Sequence, residues 1–246
     1  MSLPNLVVIG AMKCGTTALH RYLDLHPDIA MAPMKEVNFF NGPEQAPEAP
    51  PDEWWRHGQW HRGPDWYAGL FDDRAPVRGE TSPGYTSPDH PEVPARMAAL
   101  LPDARLIFLV RDPAERAVSH YRHHVRDGAE HRSLAEAVLD PGSHYLSRAR
   151  YHERLQPYLE HFAREQLLVL VTERLRHDRR GELNRAFTHV GVDADWWDQR
   201  LEQQWHVGEG SSTPEPALGH EIRARLADDT ERLRHLLDDE IVEWAA

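Results

Sequence analysis

The stretch VVIGAMKCGTT, Val7 to Thr17, constrains the fold more than any other part of the chain. An apolar run reaches Gly10, four residues follow, and Gly15 precedes a segment whose Leu19, Tyr22 and Leu23 fall at helical spacing before Pro27 stops it. The pattern predicts a buried strand, a glycine turn and a helix capped by Thr16 or Thr17. Its frame is that of a phosphate-binding loop, G-x-x-x-x-G-K-S/T, with one departure: Thr16 stands where the lysine belongs, and the lysine lies upstream at Lys13. Such a unit aims backbone N–H groups and a helix N-terminus at one anion.

The rest of the chain repeats the alternation. RLIFLV, Arg105 to Val110, is the clearest strand and breaks at RDPAERAVSHYRHH, where Pro113 suits the first turn of a helix. QLLVLV is a further strand, and the short apolar patch IAMA leads into KEVNFF. Tyr151, Leu155, Tyr158, Leu159 and Phe162 mark an amphipathic helix disturbed at Pro157. Pro216 to Trp244 reads as mostly helical, with Ile222, Leu226, Leu233 and Leu237 on one face. GETSPGY reads as turn-rich, and residues 42–66, rich in Pro, Trp, His and Gly, as a long surface loop or lid over an acceptor site. Strands alternating with helices imply an α/β fold, a central parallel sheet flanked by helices, in one domain over residues 1–246. In such sheets ligands sit beyond the carboxyl ends of the strands, where GAMKCGTT, KEVNFF and RDP all emerge.

Charge and composition narrow the partners. A net charge of -12 argues against a nucleic-acid or acidic-membrane binder, because that binding rests on Lys and Arg neutralising phosphates. No segment has the roughly 18 continuous apolar residues that span a bilayer, and the N-terminus lacks a charged stretch followed by an apolar run, so a soluble cytoplasmic protein is expected. Cys14 is the only cysteine, which excludes an intramolecular disulfide and reads as a small loop filler. Arginine dominates the basic residues, and Lys13 and Lys35 are the only lysines, each inside a motif. That placement suggests a need for a compact ammonium at both positions.

Backbone N–H groups from Cys14 to Thr17, the threonine hydroxyls and the helix N-terminus form a cradle for an anion, with Lys13 as a point charge. A nucleoside triphosphatase would place its lysine next to Ser/Thr and end a strand on an acidic residue that holds magnesium. Here the strand ending at Val110 delivers Arg111 first, suited to bidentate phosphate contact, and Asp112 reads as the cap of the next helix. Anion recognition by cations and backbone, with no metal required for chemistry, is the leading reading. A P-loop kinase of a nucleoside or small metabolite, with Thr17 on a metal, is the alternative, and a non-enzymatic binding module is the third.

VVIGAMKCGTTALHRYLDLHPDIAMAPMKEVNFF together with RLIFLVRDPAERAVSHY resembles the sulfotransferases that use 3'-phosphoadenosine 5'-phosphosulfate (PAPS), particularly the branch of heparan sulfate sulfotransferases and small bacterial enzymes. RARYHERLQPYLEHFAREQLLVLV and ERLRHLLDDEIVEW carry the resemblance through most of the chain. It implies that the first loop, with Lys13, Cys14, Gly15, Thr16 and Thr17, holds the 5'-phosphosulfate, and that Arg111 and Ser119 hold the 3'-phosphate left on the product PAP. It also places the general base that activates an acceptor hydroxyl on Glu36, the glutamate of the K-E-x-x-F-F-like motif. A positioned base of this kind contributes about 10² to 10⁴ in rate. Lys13 would offset charge on the oxygen between sulfur and phosphorus, while Lys35 either assists or pairs with Glu36 to orient it. The heparan-type enzymes carry a lysine after the glutamate of the segment matching GETSPGY; Thr81 stands there in this chain, which fits the small bacterial branch. Glu80 is then either a second carboxylate in the cleft or a structural turn carboxylate. Asn38 is neutral to mechanism.

The implied partner is a small-molecule or carbohydrate hydroxyl acceptor, with neither nucleic acid nor membrane. Trp54, Trp55, Trp60 and Trp66 form either an aromatic wall for it or the packing of the 42–66 segment. Arg116 and Arg122 read by default as surface ion-pairing residues. HVGEGSSTPEP reads as a loop able to close over the 3'-phosphate. His120 and His124 share a helix face at i, i+4, and His57 and His61 repeat the spacing. Without an H-E-x-x-H signature, in a chain with 17 histidines, no metal site is assigned from it.

Overall fold

The computed structural model describes residues 2–205 and 213–244. Five strands form one sheet: β1 Leu6–Gly10, β2 Ile29–Met31, β3 Val77–Thr81, β4 Arg105–Val110 and β5 Leu167–Val171, in the order β2-β3-β1-β4-β5. All neighbouring pairs are parallel. Leu6 to Ile9 and Leu106 to Val110 are fully buried, as strands covered on both faces by helices must be. Each such side chain contributes about 1.5–3 kcal/mol on leaving water. From β1 the chain progresses to β2 and β3 on one side and to β4 and β5 on the other, so the order reverses between β1 and β4. The crevice beyond the carboxyl ends of those two strands is the expected ligand position.

The turn-rich expectation for GETSPGY holds only from Pro83 to Thr86; its first residues belong to β3, an interior strand. Arg78, Gly79 and Glu80 hide the apolar pattern. Gly79 suits close packing, since a Cβ there would lie 2.5 Å from Met31 Sδ and 3.2 Å from Leu6 Cδ2.

Other boundaries shift for local reasons. The helix Thr16–Asp24 is capped by Gly15, at φ 88°, with no side-chain capping bond from either threonine. Residues 42–66 are not plain loop: they contain the short helices Trp54–His57 and, from its first turns, Gly63–Ala68, with single helical turns at Pro51–Glu53 and Trp60–Arg62. Pro157 falls near the end of the helix Tyr151–Leu159. The last helix runs from Pro216 to Leu237 and packs with the helices Pro113–Arg126, Leu134–Leu139 and His144–Ser147 through Ile222, Leu226, Ala117, Val138 and Tyr145. Among the described residues no helix is long and apolar enough to cross a membrane.

Candidate active site

The loop after β1 is tied down from several directions. Ala11 N–H donates to Leu109 O at 2.8 Å, continuing the pairing with β4, and Cys14 N–H donates to Ala11 O at 3.2 Å. Thr172, directly after β5, donates its hydroxyl to Cys14 O at 2.6 Å. Cys14 N–H is therefore spent within the loop, and the cradle reduces to the N–H groups of Gly15, Thr16 and Thr17, which as the opening of a helix have no intrahelical acceptor. Gly15 is exposed, Thr17 half-buried and Thr16 buried. The Cys14 thiol lies fully buried, 3.5 Å from Tyr151 Oη, and burial pushes its pKa up to about 11. It is filler, not a nucleophile.

Arg116 departs from the surface ion-pair expectation. Its side chain is fully buried and donates to Met12 O at 3.1 Å and Tyr145 O at 2.9 Å, bracing the loop from beneath. Arg122, on the same helix, is exposed. Lys13 sits at φ 72°, half-buried. Burial, then the charges of Arg126 and Arg116, hold its ammonium below the ordinary lysine value, while Asp127 and Glu36 act in the opposite sense. Of these charges that of Glu36 acts least.

Glu36 follows β2, with its N–H donated to Thr81 O at the end of β3 at 2.8 Å. Its φ is 63°, and Lys35 Nζ pairs with its Oε1 at 2.5 Å, so the ion pair that orients Glu36 is present. The carboxylate is 42 % exposed, enough to meet a substrate hydroxyl. His20, a residue the sequence gave no reason to select, reaches Thr81 Oγ1 at 3.1 Å from the first helix and feels the charge of Lys35.

Glu80 does not face this cleft. It is fully buried, its Oε1 accepting from Tyr67 (2.5 Å) and Tyr85 (2.6 Å) and its Oε2 from Ser82 (2.6 Å). The same hydroxyls grip the Glu36 segment: Asn38 N–H donates to Ser82 Oγ at 3.0 Å and Phe39 N–H to Tyr85 Oη at 2.9 Å. Residues 42–66 add a further clamp, with Gln59 Nε2 donating to Val37 O at 2.6 Å. Trp60 and Trp66 pack on the core with Arg96 and Arg62 over their rings, which is packing of the segment rather than an open aromatic wall; the Trp55 side chain lies outside the described residues.

On the β4 side, Arg111 is largely buried and pairs with Glu115 Oε2 at 2.5 Å. Burial pushes Glu115 up, but the Arg111 hydrogen bonds and charge, helped by Thr213, bring it net below the usual glutamate value. Tyr151 Oη donates to Arg111 O at 2.9 Å and so joins the end of β4 to Cys14. Asp112 caps the helix, accepting from Glu115 N–H at 2.8 Å, and pairs with Arg223 at 2.9 Å. Ser119 is half-buried further along that helix. Of the loop HVGEGSSTPEP, residues 206–212 lie outside the described residues, but Thr213 reaches Glu115 Oε1 at 3.2 Å. A cavity of about 440 Å³ lies beside Asp112, between Pro113, Arg223, Arg234 and Trp244, and includes neither Lys13 nor Glu36.

Residues 4–198 match the sulfotransferase family. The chain belongs to that family. It is 30% identical over 200 residues to heparan sulfate glucosamine 3-O-sulfotransferase 3B1 of Mus musculus, covering 77% of this chain and 46% of that protein. A bifunctional heparan sulfate N-deacetylase/N-sulfotransferase 1 of Caenorhabditis elegans is 30% identical over 191 residues, 71% of this chain and 20% of that protein. The chain thus spans less than half the length of these two relatives. A sulfotransferase crystal structure from Alicyclobacillus acidocaldarius covers 100% of both chains at 32% identity and a TM-score of 0.80. The fold class expected from the sequence is that of the sulfotransferases.

Within this member of the family the structure brings Lys13, Gly15, Thr16, Thr17, Lys35 and Glu36 to the carboxyl edge of the sheet, with Arg111 beside the loop. It takes Glu80 and the Cys14 side chain into the interior. Tyr85, Arg116, Tyr151 and Thr172, which hold the site in shape, showed nothing of that role locally, because the loop groups they hold are distant in sequence, and Tyr67 acts through the buried Glu80.

Proposed function

We propose that the protein transfers a sulfuryl group from PAPS to a hydroxyl of a small-molecule or carbohydrate acceptor. The observation that carries the reading is the presence, at the carboxyl edge of one sheet, of a half-buried lysine in the glycine loop after β1 and an accessible carboxylate whose N–H is tied to the end of the adjacent β3, Lys13 and Glu36. The residues fit such a donor. Gly15, Thr16 and Thr17 offer unpaired helix-start N–H groups to its 5'-phosphosulfate, and Arg111, with Ser119 on the following helix, offers a bidentate fork and a hydroxyl to its 3'-phosphate.

PAPS supplies the sulfuryl group, and the protein's residues manage charge and protons. Glu36 takes the acceptor's proton as its oxygen bonds to sulfur, and Lys35 holds that carboxylate in place. Lys13 offsets the negative charge that develops on the bridging oxygen as the sulfur–oxygen bond breaks and PAP leaves. The proton ends on Glu36 and the electron pair on PAP. The 42–66 segment, clamped to the backbone of Val37 and Asn38, borders the acceptor side. Both oxygens of Asp112 are committed within the fold, to the Glu115 N–H and to Arg223, which disfavours the metal-dependent kinase reading.

Nucleotide titration by calorimetry tests the donor. PAP binding independent of magnesium supports the proposal, whereas magnesium-dependent ATP binding with no PAP binding overturns it. Transfer of label from PAPS to small-molecule and oligosaccharide hydroxyls then tests the reaction class.

A further inference from the structure

The helix Pro113–Arg126 presents His120 and His124 one turn apart, and the helix His144–Ser147 brings His144 against them. One ring nitrogen of each lies within 4.8 Å of the other two. His144 Nε2 and His124 Nδ1 are already 3.2 Å apart, close to the roughly 3.4 Å that separates two nitrogens on a tetrahedral zinc ion with metal–nitrogen bonds of about 2.0–2.1 Å. Closing the third edge requires only a side-chain movement of His120, which is 1% exposed and whose Nδ1 is buried with no hydrogen-bond partner. Buried ring nitrogens are normally satisfied, and an orphan one beside two more imidazoles points to a ligand.

Burial is the leading cause that lowers all three imidazoles, in the direction of the uncharged ring that has a lone pair to give. Arg116 and Arg148 oppose a dication here, while Glu130 and Asp127 act in the other direction. Tyr145 Oη lies 3.1 Å from His124 Nδ1 and donates to Glu130 Oε2 at 3.2 Å, which makes it an outer partner able to reorient when that nitrogen is taken.

We propose that His120, His124 and His144 form a three-imidazole site for a borderline divalent cation, zinc above all, with solvent in the remaining position. All-nitrogen ligation selects this class over magnesium or calcium, which prefer oxygen. The ion would clip the His144–Ser147 helix to the helix bearing Ser119. Its role is structural: Tyr145, next to His144, accepts through its carbonyl from Arg116, which also holds Met12 O of the anion loop.

Metal-free protein titrated with cobalt(II), followed by its visible ligand-field absorption, and with zinc by competition against a chromophoric chelator, tests the site. One equivalent is expected, with a tetrahedral-type cobalt spectrum. His144→Ala and His124→Ala, both at accessible positions, are each expected to weaken it at least tenfold and to abolish the zinc-dependent rise in Tm. The control His57→Ala/His61→Ala is expected to change neither. Binding that is absent from the native chain, or that persists unchanged in both single variants while their circular dichroism is native, overturns the proposal.

Discussion

The two walls of the cleft are built differently. The wall proposed for the donor, Gly10 to Thr17, carries its chemistry in consecutive residues, from a strand end through a glycine turn to a helix start, and is braced from outside by Arg116, Thr172 and Tyr151. The wall proposed for the acceptor, Lys35 to Phe40, has no regular structure, and two of its residues, Glu36 and Asn38, stand at positive φ, as Lys13 does in the other wall. It is held by a buried polar network centred on Glu80 and by Gln59. Both walls are held by residues far away in sequence, but the first presents a contiguous motif that can be read from the chain, whereas the second takes its geometry from residues that show no motif at all.

The sharpest way to separate the walls is to disable each. Glu36→Gln is expected to lower kcat by about 10² to 10⁴ while PAP affinity by calorimetry stays within twofold. A parallel loss of PAP binding would place Glu36 on the donor wall and break the comparison. Arg111→Ala should do the reverse, weakening PAP by about 1.5–3 kcal/mol, roughly ten- to a hundredfold, the worth of hydrogen bonds to a charged group.

Glu80→Ala addresses the hidden support. It leaves the hydroxyls of Tyr67, Tyr85 and Ser82 without their acceptor, for an expected loss of about 3 kcal/mol in urea unfolding. In the folded fraction kcat should fall with PAP affinity unchanged, and an unchanged kcat would detach Glu80 from the acceptor wall. Burial raises the Glu80 pKa, so the native state holds that proton more tightly than the unfolded chain does. This group's contribution to stability is therefore greatest at low pH and declines as pH rises from the unfolded value of 4.5 through the raised folded value.

Two smaller effects concern the donor wall. Because Lys13 titrates below its ordinary value of 10.5, activity that depends on its ammonium should decline on the alkaline side before pH 10.5 is reached. Lys13→Arg, with a charge that does not titrate there, should remove that limb from the kcat profile of whatever activity remains. Cys14, buried with a pKa of about 11, should resist iodoacetamide in the native protein, as intact-mass measurement would show; rapid labelling with loss of activity would contradict the packed loop.

Much of the fold was legible. β1, β4 and β5 are continuous apolar runs, and the helix after RDP announces itself by Asp112 and Pro113. β3 was not, because an interior strand that carries Gly79 for close packing and Glu80 for a buried network resembles a turn in composition. The histidines show the same limit: His120 and His124 are visible as a helical pair, but His144 joins them only through the packing of a second helix.

By itself the sequence determined the parallel α/β plan, the glycine loop with Lys13 and the Arg111 strand end, since each depends on residues adjacent along the chain; that Lys35 pairs with Glu36 is seen only in the structure. Only the tertiary structure decided that Glu80 and Arg116 are interior, that Cys14 spends its N–H inside the loop, and that three histidines meet. Those outcomes depend on burial and on which polar groups find partners. Both are set by elements that approach in space from far apart in sequence.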